Sequence, residues 1–70
     1  MSRDKALEIF NILSGMNYGC TIKHLQGVFS VEVPVTLRGD PAYGKQAEII
    51  RLAMRGGFEP VQAGQLLRIV

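Results

Sequence analysis

The sequence predicts a small α+β domain, in which a four-stranded, mainly antiparallel sheet carries two helices on one face in the chain order αββαββ. Apolar residues recur at helical spacing in two segments. Two other segments each divide into a pair of strand-like patterns around a turn that contains glycine. A chain of 70 residues is short for more than one core, so residues 1–70 are expected to form a single domain.

The first helix is predicted from Arg3 to about Met16. Ser2 suits the N-cap, because its hydroxyl can accept a hydrogen bond from a free backbone N–H of the first turn. The apolar stripe that should face the core comprises Ala6, Ile9, Phe10, Leu13 and Met16, widened by Leu7 and Ile12. The glycines that follow are typical of a helix end.

A hairpin is predicted from Cys20 to Leu37, with a two-residue turn at Gln26-Gly27. This turn places His24 opposite Phe29. The second strand alternates strictly, and the side chains expected to face the helices are Phe29, Val31, Val33, Val35 and Leu37. Pro34 lacks a backbone donor, so it must lie beyond the paired stretch or at a bulge.

The second helix is predicted from Pro41 to Arg55. Asp40 suits the N-cap and Pro41 the first helical position, where its missing N–H costs nothing. The expected buried face comprises Tyr43, Ala47, Ile50 and Met54, flanked by Gln46 and Ala53. The pair Gly56-Gly57 is expected to end the helix.

A second hairpin is predicted from Phe58 to Val70, with its turn at Ala63-Gly64. This register places Glu59 opposite Arg68, a complementary cross-strand pair. Phe58, Leu67 and Ile69 are then expected to face the helices, and Pro60 to lie on an edge strand.

Moving the last strand to the front of this order gives βαββαβ, which is the ferredoxin-like order. The predicted architecture is therefore a circularly permuted ferredoxin-like two-layer sandwich. Strands Val28–Leu37 and Gln65–Val70 are expected at the centre of its sheet, since they have the strongest strand patterns.

Residues suited to catalysis or metal binding are sparse. Cys20 and His24 are the only residues of their types, which excludes an intramolecular disulfide and a closed Cys/His zinc site. Four residues apart on one strand, they would be about 13 Å apart and could not form a nucleophile–base pair. Cys20 is interpreted as a core residue and His24 as a partly buried residue at the hairpin end. No phosphate-binding glycine motif occurs. We expect a non-enzymatic protein with no cofactor and no metal.

Composition predicts a folded, cytoplasmic chain. Hydrophobic residues make up 47% of it, which disfavours disorder, but no apolar run approaches the roughly 18 residues of a membrane span. The initial Met-Ser-Arg-Asp-Lys lacks the apolar region of a signal peptide. A single cysteine also agrees with a reducing compartment.

The sheet face away from the helices is predicted to be a protein interface. The apolar residues expected to be exposed on it are Leu25, Val28, Val61 and Leu66. Contiguous exposed apolar surface usually marks an interface, although scattered single hydrophobics are normal. The predicted function is a small interaction or regulatory module that self-associates or binds a protein partner through this face. A small molecule enclosed at such an interface is left open.

The alternative function is nucleic-acid binding through a basic stripe on the second helix. The basic residues of the stripe are Lys45, Arg51 and Arg55, with Glu48 among them, and Arg38 lies just before the helix. Four cations against one acid could contact phosphates. The same stripe is also typical of a solvated helix face in which Glu48 pairs with Arg51.

Overall fold

Two helices pack on a four-stranded antiparallel sheet in the computed structural model, which describes residues 1–70. The elements are α1 Arg3–Gly15, β1 Thr21–Leu25, β2 Val28–Pro34, α2 Gln46–Arg55, β3 Pro60–Ala63 and β4 Leu66–Ile69. The strand order across the sheet is β1-β2-β4-β3, so β2 and β4 are central. The prediction of two helices and one four-stranded antiparallel sheet is confirmed.

Helix α1 begins as predicted and buries a narrower stripe than expected. The Ser2 hydroxyl accepts a hydrogen bond from the Lys5 backbone N–H at 3.3 Å. The fully buried residues of this helix are Ala6, Ile9 and Leu13. Met16 was expected in the core but is exposed, because the helix ends at Gly15 and the chain turns away at Asn17, whose φ is 65°.

The β1–β2 hairpin has the predicted turn and register. Gln26 and Gly27 both have positive φ, at 52° and 79°, as a type I′ turn requires. Leu25 pairs with Val28 and His24 with Phe29. Strand β2 ends at Pro34, however, so Leu37 lies beyond it and is exposed, contrary to expectation.

Neither strand proline disrupts a hydrogen-bonded ladder. Pro34 is the last residue of β2 and lies opposite Leu66. Successive backbone nitrogens of β2 point alternately to β1 and to β4, and the nitrogen of Pro34 points to the β1 side. Strand β1 begins at Thr21, opposite Glu32, so no β1 residue there needs a hydrogen bond from Pro34. Pro60 lies on the edge strand β3 with its nitrogen toward the free edge, as the Glu59–Val70 hydrogen bonds to β4 require.

The predicted turn of the second hairpin is wrong by one residue. The turn is Gly64-Gln65. Gly64 has a φ of 63° and the φ of Gln65 is negative, which is the pattern of a type II′ turn. Val61 consequently lies opposite Arg68, and the expected Glu59–Arg68 pair does not form. The partners shift by two residues, so every side chain keeps its predicted face.

Helix α2 begins at Gln46 and not at Pro41. Asp40 starts a separate turn, in which the Tyr43 N–H donates to the Asp40 carbonyl at 3.0 Å. Gly44 then has a φ of 77°, which no α-helix contains, so the helix starts after it.

The buried face of α2 also differs from the prediction. Ile49 and Ala53 are fully buried, while Ile50 is only half-buried. Tyr43, Ala47 and Met54 are exposed. The core face is therefore rotated by about one residue from the expected one, because the helix does not continue from the Asp40 turn.

A single apolar core lies between the helices and the sheet, and no polar residue is buried in it. Its members are Ala6, Ile9, Leu13, Tyr18, Val31, Val33, Val35, Ala42, Ile49, Ala53, Phe58, Leu67 and Ile69. Both helices and both central strands contribute to it, which leaves the opposite sheet face without a covering layer.

Replacing Ile49 by Ala should lower the free energy of unfolding by about 2–5 kcal/mol, because it removes a fully buried aliphatic side chain. Ile50→Ala should cost clearly less, since that side chain is partly in water already. Urea denaturation of both variants measures the difference. Equal losses would contradict the observed rotation of α2.

Candidate functional site

The sheet face opposite the helices is formed by alternate residues of all four strands. Val31, Val33, Leu67 and Ile69 are buried under the helices, so the residues between them point the other way. The outward residues are Thr21, Lys23, Leu25, Val28, Ser30, Glu32, Pro34, Glu59, Val61, Ala63, Leu66, Arg68 and Val70. This surface is called the open face below.

The four predicted interface residues all lie on the open face. Leu25 is 75% exposed, Val28 57% and Val61 45%, while Leu66 is half-buried. The strand pairing separates them into two groups, however. Leu25 and Val28 adjoin the β1–β2 turn, and Val61 and Leu66 lie toward the β3–β4 turn. The predicted patch is therefore two apolar groups, with Lys23 and Ser30 between them on β1 and β2, and Val61 lies in the same row as Glu32 and Arg68.

The polar residues of the open face are centred on an ion pair between the two central strands. Arg68 donates from Nη2 and Nε to the same Glu32 oxygen, at 2.9 and 3.2 Å. The two residues are direct partners in the β2–β4 register. The Glu32 side chain is only 12% exposed because Arg68 lies across it. Sequence reasoning missed this pair, since it assigned Arg68 to Glu59.

A shallow concavity of about 580 Å³ lies on the open face near the β1–β2 turn. Its lining residues are Lys23, His24, Leu25, Gln26, Val28, Ser30, Glu32, Arg68 and Val70. Val70 is 37% exposed and adds an apolar contact that the sequence analysis did not single out. Apolar side chains beside charged ones suit contact with another protein surface.

Cys20 and His24 do not form a reactive pair. Cys20 is half-buried, and its Sγ lies 3.7 Å from the Ser14 hydroxyl and 3.9 Å from the Phe10 carbonyl. Burial raises the pKa of this thiol, which keeps it protonated at neutral pH. His24 is exposed, contrary to expectation, and its ring stacks on Phe29 at 4.0 Å.

Only some residues of the basic stripe lack an acidic partner. Lys45 lies 3.9 Å from Glu48, which also accepts a hydrogen bond of 2.9 Å from the Tyr18 hydroxyl. The expected Glu48–Arg51 pair does not form, and no carboxylate pairs with Arg51 or Arg55. These arginines line a shallow depression of about 240 Å³ together with Met16, Glu48 and Leu52. Arg38 is exposed and does not line this depression.

No group of three or more histidine, cysteine or acidic side chains is arranged to hold a metal ion. Neither helix is long and apolar enough to cross a membrane. No protein family matches the chain, and no characterised protein or solved structure is significantly similar to it. Function is therefore inferred from the residues and their geometry.

Replacing Glu48 by Ala should lower the pKa of Tyr18 toward its ordinary value. The hydrogen bond to Glu48, together with burial, raises that pKa, because ionisation would lose the bond and set two negative charges side by side. Absorbance titration measures it in a Tyr43→Phe background, where Tyr18 is the only tyrosine.

The raised pKa of Tyr18 also predicts the direction in which stability changes with pH. The unfolded chain releases the tyrosine proton first, so the folded protein should lose stability as the pH rises from the ordinary tyrosine pKa through the raised one. Glu48→Ala should reduce this loss. A Tyr18 titration that is identical in the parent and in Glu48→Ala would contradict the assigned hydrogen bond.

Proposed function

We propose that this protein is a non-enzymatic interaction or regulatory module of the cytoplasm that binds protein, either a partner or a second copy, through the open face. One observation carries the proposal. Leu25, Val28, Val61 and Val70 are exposed together on a sheet face that no helix of the chain covers. Apolar surface gathered on one face is typical of interfaces.

Burial of these side chains would be favourable for two reasons. Covering apolar surface contributes about 25 cal/mol for each Å² removed from water. A domain of this size also buries a smaller fraction of its surface than a larger one does, so a bound partner would add to a modest stability. The other large exposed hydrophobics lie on the helices, just after α1, or between β2 and α2: Ile12, Met16, Leu37, Tyr43 and Met54.

We further propose that the fold is a circularly permuted ferredoxin-like sandwich. The chain order and the sheet order β1-β2-β4-β3 both agree with that permutation. The start of the chain supports it too. Met1 and Phe29 exchange two backbone hydrogen bonds, of 3.0 and 3.2 Å. Val31 pairs with Ile69 of β4, so the residue opposite Phe29 would be two positions beyond Ile69 along that strand. Met1 occupies this position, which places the start of α1 in line with the end of β4.

A photo-crosslinking amino acid at Val28 should capture one defined protein in living cells, either another copy or a distinct partner. Its position on the open face would place it within the bound surface. Adding Leu25→Lys and Val61→Lys should remove that product, because both side chains are exposed on the open face and two charges there oppose burial. Mass spectrometry identifies the captured protein.

The matched control adds Ile12→Lys and Met54→Lys, which introduce the same charges at exposed apolar positions on the two helices. This control should retain the crosslinked product. Circular dichroism must show that both lysine variants are folded. Absence of any protein product from Val28, or equal loss in both variants, would refute binding through the open face.

Nucleic-acid binding through the basic stripe is the second candidate. The observation that favours it is that Arg51 and Arg55 lie together on α2 without an acidic partner. Two free guanidinium groups on one helix face can contact successive phosphates. Lys45 contributes less, since Glu48 lies beside it.

If the stripe binds nucleic acid, the parent should bind mixed DNA or RNA with an affinity that falls steeply as salt rises. Arg51→Glu with Arg55→Glu should abolish that binding, since it reverses both charges. Fluorescence anisotropy at low and moderate salt measures the effect. The matched control reverses two charges elsewhere, as Arg3→Glu with Lys5→Glu on α1, and should retain binding. Absence of binding by the parent at low salt would eliminate this candidate.

A further inference from the structure

We infer that the occupant of the open face is a second copy of this chain. The two copies are related by a two-fold axis that lies between their open faces, parallel to the strands and over the midline between β2 and β4. The inference rests on the proposed function, in which the open face binds protein. It goes further by identifying the partner and its orientation. The charges on the open face carry it.

The charged residues of the open face lie in two adjacent rows that cross all four strands. In one row the register aligns Lys23, Ser30, Val70 and Glu59 from β1 to β3. In the next row it aligns Thr21, Glu32, Arg68 and Val61. Each row therefore carries one positive and one negative residue, at equal distances on either side of the midline.

The outer two of these charges have no partner within the chain. Lys23 and Glu59 are both exposed, and neither takes part in an ion pair. They lie on opposite edges of the sheet, separated by three strand spacings or about 14 Å. A lysine and a glutamate at that distance cannot meet across their own sheet.

A two-fold axis along the midline brings these charges together in a dimer. It places β1 over the partner's β3 and β2 over the partner's β4, with each row over the same row. Lys23 then meets the partner's Glu59, and Glu32 meets the partner's Arg68. The inner four charges alternate in sign, so each has two opposite neighbours, which offsets the cost of removing them from water.

A two-fold axis perpendicular to the strands is the alternative that also keeps the strands of the two sheets aligned, and it does not match charges. It keeps each strand over the partner's same strand and reverses the rows. Centred on the row of Glu32, it sets like charges against each other at Glu32 and Arg68. Centred on the row of Lys23, it does the same at Lys23 and Glu59, and like charges in contact oppose binding. Between these rows, it sets every charge against a neutral residue.

The apolar residues of the open face fit the same arrangement. Sheets that pack face to face lie about 10 Å apart with their strands within about 30° of alignment, which a two-fold axis parallel to the strands permits. Pro34 then lies over the partner's Leu66 at one end. Val28 lies beside the partner's Val70 at the other end. Val61 lies over the partner's Thr21 in the row of Glu32 and Arg68, so residues of both apolar groups are covered.

Charge reversal tests the inference by sedimentation velocity and equilibrium. The parent should dimerise. Lys23→Glu and Glu59→Lys should each weaken dimerisation at least about tenfold, because each sets like charges in contact twice per dimer. An equimolar mixture of the two variants should recover near-parental association as a heterodimer, since both contacts are then attractive. The double variant K23E/E59K should recover it as a homodimer.

The control pair is Lys5→Glu and Glu8→Lys, which makes the same charge changes on the exposed surface of α1. Neither should affect dimerisation. Single variants as tight as the parent, or a mixture that fails to recover, would overturn the two-fold arrangement. A parent that is monomeric at high micromolar concentration would overturn the second copy as occupant. A crosslink from Val28 to a different protein would then still support the proposed function.

Discussion

The antiparallel pairing of β2 with β4 is the contact on which the rest of the structure depends. It joins an N-terminal half, α1-β1-β2, to a C-terminal half, α2-β3-β4, through residues more than thirty positions apart. Its inward side chains, such as Val31 and Ile69, form the floor of the core. Its outward side chains, Glu32 and Arg68, form the centre of the open face. One strand register therefore determines both the core and the candidate site.

The faces of the strands could be predicted from sequence because they depend only on alternation. The first hairpin was also correct in register, since Gln26-Gly27 offers a single plausible turn there. The second was not, because both possible two-residue turns place Gly64 at a central position. The complementary charges of Glu59 and Arg68 did not decide the register, since Arg68 has an acidic neighbour on its other side.

Two further features depended on information that no local pattern contains. Asp40-Pro41 does start a turn, but the left-handed Gly44 separates that turn from α2 and changes which residues face the core. Glu32 and Arg68 are 36 positions apart, and only the order of strands in the sheet makes them neighbours. The composition of the open face was therefore predictable, whereas the division of its apolar residues was not.

Pro60 has a consequence for the size of any assembly. A sheet can grow sideways without limit when a free edge offers a full row of donors and acceptors, as in fibrils. At the β3 edge, the ring nitrogen of Pro60 faces outward and has no proton to donate, so an incoming strand would lose a bond there. The proposed stacking through the open face would instead cover that face with one partner and leave the helix layers outermost. The proline thus disfavours open-ended growth of the sheet at its β3 edge.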